Sequence, residues 1–299
     1  MIAGVHPVAL AEKEQTKKPK LVHVTTIPMT QYLFLRGQFG FMNEAGFDVH
    51  SVSSPGGPGD YLEKIAARDP VTTHAIPISR RIAPLQDAQA VYRLWKLFRT
   101  LRPEIVQLST PKAALLGAIA AKFARVPIRI YQVRGLSSES EWGTKRKIYQ
   151  FLERMTAKLC NGFLVNATSL LKYAKDAKIL TSGIVAGNGM SNGVDLQLFD
   201  PSTEPADMSH WDASWDESVG PVVGFVGRLT RDKGLEDIYQ AWKKLRDEFP
   251  DSRLLLVGPW ESGSAVTKKC YDGLQADPRV VLTGTVSYTH LTLPTNREV

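Results

Sequence analysis

The chain has 299 residues, long enough for two domains, and its 43% hydrophobic and 22% charged residues are the balance of a soluble globular protein. No apolar run reaches the roughly 18–20 residues of a spanning helix, and the two cysteines, Cys160 and Cys270, have no metal-ligand spacing and require no oxidising compartment. The net charge of +7 comes without a nucleic-acid-binding motif or interleaved aromatics, so a membrane surface or a phosphorylated ligand is the better anionic partner.

In chain order, Leu21–Ile27 (LVHVTTI) predicts a first strand and Gln31–Ala45 a helix, with Pro28, Met29 and Thr30 as the loop between them. Phe47–Ser54 predicts the second strand, followed by the turn-rich PGGPGD and a third strand over Val71–Ile78. Ala88–Leu101 has helical spacing, with Val91, Leu94, Trp95, Phe98 and Leu101 on one side and Arg93, Lys96, Arg99 and Arg102 on the other. Strand Glu104–Ser109, helix Lys112–Ala124, strand Ile128–Val133, helix Lys145–Cys160 and strand Phe163–Asn166 follow. Cys160 falls on the apolar face of its helix and reads as a small core residue. This alternation predicts a doubly wound parallel sheet.

A less regular stretch with SNGVDLQLFDP and a polar, tryptophan-containing segment, Ser202–Gly220, separates this part from a second alternation. That one comprises strand Val222–Val226, helix Leu235–Phe249, strand Arg253–Val257, a helix around Val266–Leu274 and strand Val280–Thr283. The expected class is α/β: two Rossmann-like domains in tandem, the second short. Val222–Val226 reads as a fully buried parallel strand. Gly227 ends it, and Arg228 and Lys233 occupy the loop before the next helix. In open α/β sheets, ligands bind at that strand-to-helix edge. A helix N-terminus there supplies N–H groups and partial positive charge, which suits an anionic diphosphate.

The ordered motifs then carry a resemblance. GFVGRLTRDKG, FPDSRLLLVGP and DPRVVLTG resemble the donor-binding domain of retaining glycosyltransferases of the GT-B fold, family 4. VTTIPMTQYLFLRGQ, VSSPGG, ISRRIAPLQD, STPKAALLG, YQVRGL and GNGMSNGVDLQLFDP are similar to its acceptor-side domain. The likeness covers residues 20–286 and is closest to bacterial enzymes that build capsule, exopolysaccharide or O-antigen repeat units. The resemblance implies a nucleotide-diphosphate sugar as co-substrate and a polyprenyl-diphosphate-linked or saccharide acceptor. It implies no metal, consistent with the lack of any Asp-x-Asp. Gly227, Arg228 and Lys233 would bind the donor diphosphate, since a guanidinium fork and a point charge stabilise the charge left when the anomeric C–O bond breaks.

Other residues follow from the same resemblance. Thr30, Lys112 and Arg134 are cleft candidates, and Lys112, after Thr110 and Pro111, could meet an acceptor phosphate. Arg134, before Gly135, stands where many family members have histidine. A guanidinium cannot act as a general base, so only phosphate binding carries over. Gly258, before Pro259, would border the nucleotide base. Asn192, Gly193 and Asp195 match a family marker and read as a structural turn. GNGMSNG lacks the last glycine of a dinucleotide fingerprint and opens no helix.

The basic rows Arg93, Lys96, Arg99, Arg102 and Lys145, Arg146, Lys147, Arg154, Lys158 could face an anionic membrane. The expected location is cytoplasmic, with peripheral contact at the inner membrane face and no nucleic-acid partner. The expected layout is a disordered leader (1–19), an acceptor-side domain (20–205), a partial donor-binding domain (206–286) and an artefactual tail (287–299) on a truncated gene product that lacks the family's glutamate pair and is inactive. A nucleotide-sugar epimerase of the same fold and a non-catalytic anion-binding module are the competing readings.

Overall fold

A computed structural model describes residues 18–56, 61–79, 83–189, 196, 220–261 and 266–285. The chain divides into two compact units, Met1–Gly193 and Val194–Val299. The polar segment before Gly220, the SNGVD turn, and most of the leader and tail lie outside the described residues.

The first unit is a parallel sheet of seven strands: β1 (Lys20–Val24), β2 (Asp48–Ser53), β3 (Thr72–Ala75), β4 (Ile105–Leu108), β5 (Ile128–Val133), β6 (Gly162–Val165) and β7 (Ile184–Val185). Their order is β3-β2-β1-β4-β5-β6-β7, so the winding reverses between β1 and β4. The inner strands β1, β2 and β4 are short and buried because helices cover both faces, whereas β3 and β7 at the sheet edges are partly exposed. On one face Val22, Val24, Val106 and Leu108 pack with Leu94 and Phe98 of α4 (Pro84–Leu101) and with the alanines of α5 (Pro111–Phe123). On the other, Val49 packs with Leu35, with Phe39 of α2 (Gln38–Glu44) and with Ile65 of α3 (Tyr61–Arg68). The helices α6 (Gly143–Leu159) and α7 (Thr168–Asp176) complete the unit, and Cys160, just past α6, is buried, which pushes its thiol up to about 12.

Three local expectations are corrected. The single helix over Gln31–Ala45 is two helices, α1 (Pro28–Phe34) and α2, broken at Gly37, whose φ of 77° lies in the left-handed region. Pro28, Met29 and Thr30 therefore form the first turn of α1 rather than a loop, with proline at a helix start where its missing N–H costs nothing. The basic residues of α4 do not share one face. Steps of three lag the 3.6-residue turn by about 60° each, so Arg93 and Arg102 end on opposite sides. Arg93 lines a recess at the carboxyl ends of β2 and β3, whereas Arg99 and Arg102 line one beside Pro103 and Pro127.

The second unit has three parallel strands, β8 (Val222–Val226), β9 (Arg253–Val257) and β10 (Val280–Gly284), in the order β10-β9-β8. The helices α8 (Leu235–Glu248) and α9 (Lys268–Ala276) supply Leu235, Trp242, Cys270 and Leu274 to a core with Leu254 and Leu256. The strand β8 is parallel as expected but not fully buried: Val222, Val223 and Val226 are 44%, 40% and 54% exposed, because β8 is the edge of the described sheet.

Candidate functional site

The reversal between β1 and β4 leaves a crevice at their carboxyl ends, the position at which open α/β sheets bind ligands. It is built on buried polar side chains. Gln31, fully buried on α1, donates to Thr25 Oγ1 and the Val52 carbonyl, each at 3.0 Å, and accepts from Ser51 Oγ. Thr25 Oγ1 in turn donates to the Ile27 carbonyl at 3.0 Å, so this relay ties the ends of β1 and β2 to the start of α1. A satisfied buried network of this kind fixes one geometry, whereas a half-satisfied one would be costly.

Between β1 and β4, Thr26 N donates to Thr110 Oγ1 at 3.1 Å and the two hydroxyls meet at 2.8 Å. Thr110 has φ of 67°, which a β-branched residue adopts at a cost of about 1–3 kcal/mol. Ser109 donates to Gln132 Oε1 at 2.7 Å and therefore accepts from His23 Nε2 at 3.1 Å, which assigns His23 the Nε2–H tautomer. Burial, then the charge of Arg134, pushes the His23 imidazolium down to about 3, so the ring is neutral at any physiological pH.

Among the residues singled out from the sequence, Thr30 is half-buried on α1. Arg134, half-buried after β5, stacks its guanidinium 5.3 Å from the Phe34 ring, so it packs against the helix that carries Thr30. Lys112 is engaged elsewhere: its Nζ lies 2.7 Å from Asp87 Oδ1 of α4, with both side chains largely buried. His23, Thr26, Gln31 and Ser109 were not singled out, and Thr110 was named only as the residue before Pro111 and Lys112. For all but Gln31, which lies on α1, the signal was a polar residue recurring at the ends of otherwise apolar strands, in LVHVTT and IVQLST.

In the second unit, Gly227 N donates to the Val257 carbonyl at 2.8 Å and Leu229 N to the Pro259 carbonyl at 2.9 Å, which continues strand-like pairing past the ends of β8 and β9. This brings the Gly227 carbonyl against Gly258 so closely that a methyl group on Gly258 would collide with it. Glycine at 258 is thus required by backbone approach, a reason distinct from a nucleotide border. Beyond Gly227, the buried Leu229 and Thr230 anchor the loop, a turn over Arg231–Lys233 follows, and Gly234, with φ of 76°, starts α8.

The anchored loop holds its charges at the surface. Arg228, 48% exposed, reaches Glu261 Oε2 at 2.6 Å and Asp232 Oδ2 at 3.6 Å. Exposed pairs of this kind contribute about 0–1 kcal/mol, so an incoming phosphate can exchange with them. Lys233 is exposed and forms no ion pair among the described residues. Glu236 and Asp237 in the first turn of α8 already offset the helix dipole, so Arg228, Arg231 and Lys233 carry the positive potential of this corner. Among the described residues, no three His, Cys, Asp or Glu side chains converge.

Comparison with known proteins agrees with this architecture. Residues 33–175 match the model of the Glycosyl transferase 4-like domain, and residues 220–294 that of Glycosyl transferases group 1. The chain is 32% identical over 297 residues to the capsular polysaccharide biosynthesis glycosyltransferase CapM of Staphylococcus aureus, covering 94% of this chain and 74% of CapM. It is 27% identical to a UDP-Gal:alpha-D-GlcNAc-diphosphoundecaprenol alpha-1,3-galactosyltransferase of Escherichia coli, covering 91% of this chain and 70% of that protein. The fold matches Anabaena HepE, solved in complex with UDP and glucose, with a TM-score of 0.66 at 18% identity, over 91% of this chain and 70% of HepE. A 4-like domain followed by a group 1 domain, on the GT-B fold, places this chain in the glycosyltransferase family to which CapM belongs.

Proposed function

We propose that this protein moves a sugar from a nucleotide-diphosphate sugar to a polyprenyl-diphosphate-linked or saccharide acceptor in cell-surface polysaccharide synthesis, with retention at the anomeric carbon. The observation that carries the reading is the β8–α8 corner, where Arg228 and Lys233 stand on a backbone anchored by Gly227, Leu229 and Thr230. When the anomeric C–O bond breaks, charge develops on the diphosphate, and cations already held in place stabilise it. Arg228 exchanges its exposed carboxylate partners for phosphate oxygens, Lys233 adds a point charge, and the glycines at 227 and 258 keep the backbone compact beneath them. Thr30 and Arg134 serve the acceptor side, whereas Lys112 is engaged by Asp87.

The proposed setting is the cytoplasmic face of the membrane. Among the described residues no helix is long and apolar enough to cross one. Contact falls to α6, where Ile148 and Phe151 are 53% and 59% exposed beside the exposed Lys147 and Lys158, whereas Arg154 donates to the Ala177 carbonyl at 2.7 Å and faces inward. Basic residues at an anionic surface contribute about 1 kcal/mol each.

A panel of UDP- and GDP-sugars with polyprenyl-diphosphate-linked acceptors tests the reading. Release of nucleoside diphosphate matched by a glycosylated product of unchanged anomeric configuration is the expected result. An isomerised sugar nucleotide with no acceptor consumed would establish an epimerase instead, and donor binding without turnover a non-catalytic module.

A further inference from the structure

The carboxyl ends of β2 and β3 meet the first turns of α4 around a cavity of about 400 Å³ lined by Pro55, Pro77 and Ile78 on one side and Gln86, Gln89 and Arg93 on the other. Its floor is preformed. Ser54 Oγ accepts from Ile78 N and donates to the Ile78 carbonyl, each at 2.9 Å, and Ile76 N donates to the Ser53 carbonyl at 2.8 Å, so the chain after β3 is pinned to the end of β2. The opposite wall is polar, with its donors unspent among the described residues. Gln86, Gln89 and Arg93 stand at i, i+3 and i+7 on α4, are exposed, and make no hydrogen bond or ion pair with any described residue. The acidic group nearest them in sequence, Asp87, is already neutralised by Lys112 at 2.7 Å and accepts from Ala83 N at 3.2 Å. The recess thus pairs an apolar floor, suited to the C–H face of a pyranose, with two amides suited to its hydroxyls and a guanidinium suited to an anion.

We propose that this recess is a subsite for a sugar ring bearing an anionic group, a phosphate or a carboxylate, whose charge is taken by Arg93 and whose hydroxyls are read by Gln86 and Gln89. On the proposed transferase reading, it is the acceptor that enters here, and acceptors carrying such a group are selected over neutral ones.

The full chain is titrated by calorimetry with N-acetylglucosamine 1-phosphate, glucuronic acid, inorganic phosphate and a neutral methyl glucoside. Tighter binding of the first or second than of the last two is expected, with at least a tenfold loss in Arg93→Gln and a smaller loss in Gln89→Ala, at unchanged melting temperature. Preference for the 1-phosphate points to a glycosyl phosphate, and preference for glucuronate to an acidic sugar. Equal binding of the neutral glucoside, no binding of either charged sugar, or full affinity in Arg93→Gln would overturn the subsite. Turnover on the nucleotide-sugar panel with an acceptor KM indifferent to Arg93→Gln would sink the subsite and leave the transferase reading standing. Charged-sugar binding lost in Arg93→Gln without any turnover would do the reverse.

Discussion

The two strand-to-helix edges of this chain are built on opposite principles. At the β1–β4 crevice of the first unit, the polar groups are buried or half-buried, uncharged and hydrogen-bonded to one another: Gln31, Ser51 and Thr25, Thr26 with Thr110, and His23 through Nε2 with Ser109 and Gln132, His23 Nδ1 having no partner among the described residues. At the β8–α8 corner of the second, the groups are charged and half-exposed, and what is buried is the backbone beneath them. A buried neutral network holds shape because each lost partner costs about 1–3 kcal/mol. An exposed ion pair holds little, so it can surrender its partner to a ligand. The first edge is therefore a rigid template and the second, on the proposed reading, an exchangeable clamp.

That contrast can be broken experimentally, and the largest effect is expected at Gly258. Gly258→Ala forces its methyl into the Gly227 carbonyl, which cannot yield without parting β8 from β9. A loss of about 4 kcal/mol or more is expected in chemical denaturation of the second-unit transition. A drop below about 1 kcal/mol would show that the clamp's backbone is not the rigid part.

Next, Gln31→Leu removes three partners from a fully buried site and should cost about 2–4 kcal/mol. A neutral result would mean that the crevice is not held by its hydrogen bonds.

Third is an acid-dependent loss in the second unit. Burial pushes the Asp277 carboxyl up, but hydrogen bonds from Arg279 N (3.0 Å), Trp242 Nε1 (3.0 Å) and Arg246 (2.7 Å) outweigh it and hold the group below the usual carboxylate range. A depressed folded value means stability that is complete above the ordinary carboxylate value of about 4 and lost as pH falls below it. Melting temperature against pH should drop over that range, and the drop should shrink in Asp277→Asn. An identical profile in the variant would refute the assignment.

The smallest stability effect, under about 1 kcal/mol, is expected for Arg228→Ala, since both its ion pairs are exposed. Nucleoside-diphosphate affinity should nonetheless fall by about 10-fold or more, as for loss of a charge-assisted hydrogen bond. Glu261→Gln should move that affinity the other way, by removing the competing carboxylate. If Arg228→Ala unfolds the unit while Glu261→Gln leaves affinity unchanged, the clamp is structural.

The major strands were legible because each is a largely apolar run bounded by breakers, α4, α6 and α8 because their apolar residues recur at helical spacing, and α5 from its run of alanines. What escaped was short or disguised. The eight-residue α3 follows a turn-rich stretch, the nine-residue α7 and the two-residue β7 are too short to stand out, and the break at Gly37 is hidden by apolar residues on both sides of it. At the second edge, Arg228 and Lys233 were legible from their place between a strand and a helix, but Glu261, 33 residues on, was not. At the first edge the cleft candidates Thr30 and Arg134 were named, yet the network beneath them was missed: Thr26 and Thr110 are 84 residues apart, His23 and Ser109 86.

The sequence by itself determined the alternation of strand and helix, the two-unit layout and the family, because local periodicity and motif order are properties of the chain. Only the tertiary structure decided which polar residues are satisfied and which stand open. That Lys112 is neutralised by Asp87, that Arg228 is shared between two carboxylates, and that Arg93 leaves its basic neighbours to line a recess are outcomes of strand register and helix rotation. Whether a charge is exchanged, buried or free to meet a ligand depends on neighbours brought from elsewhere in the chain, and no local pattern encodes them.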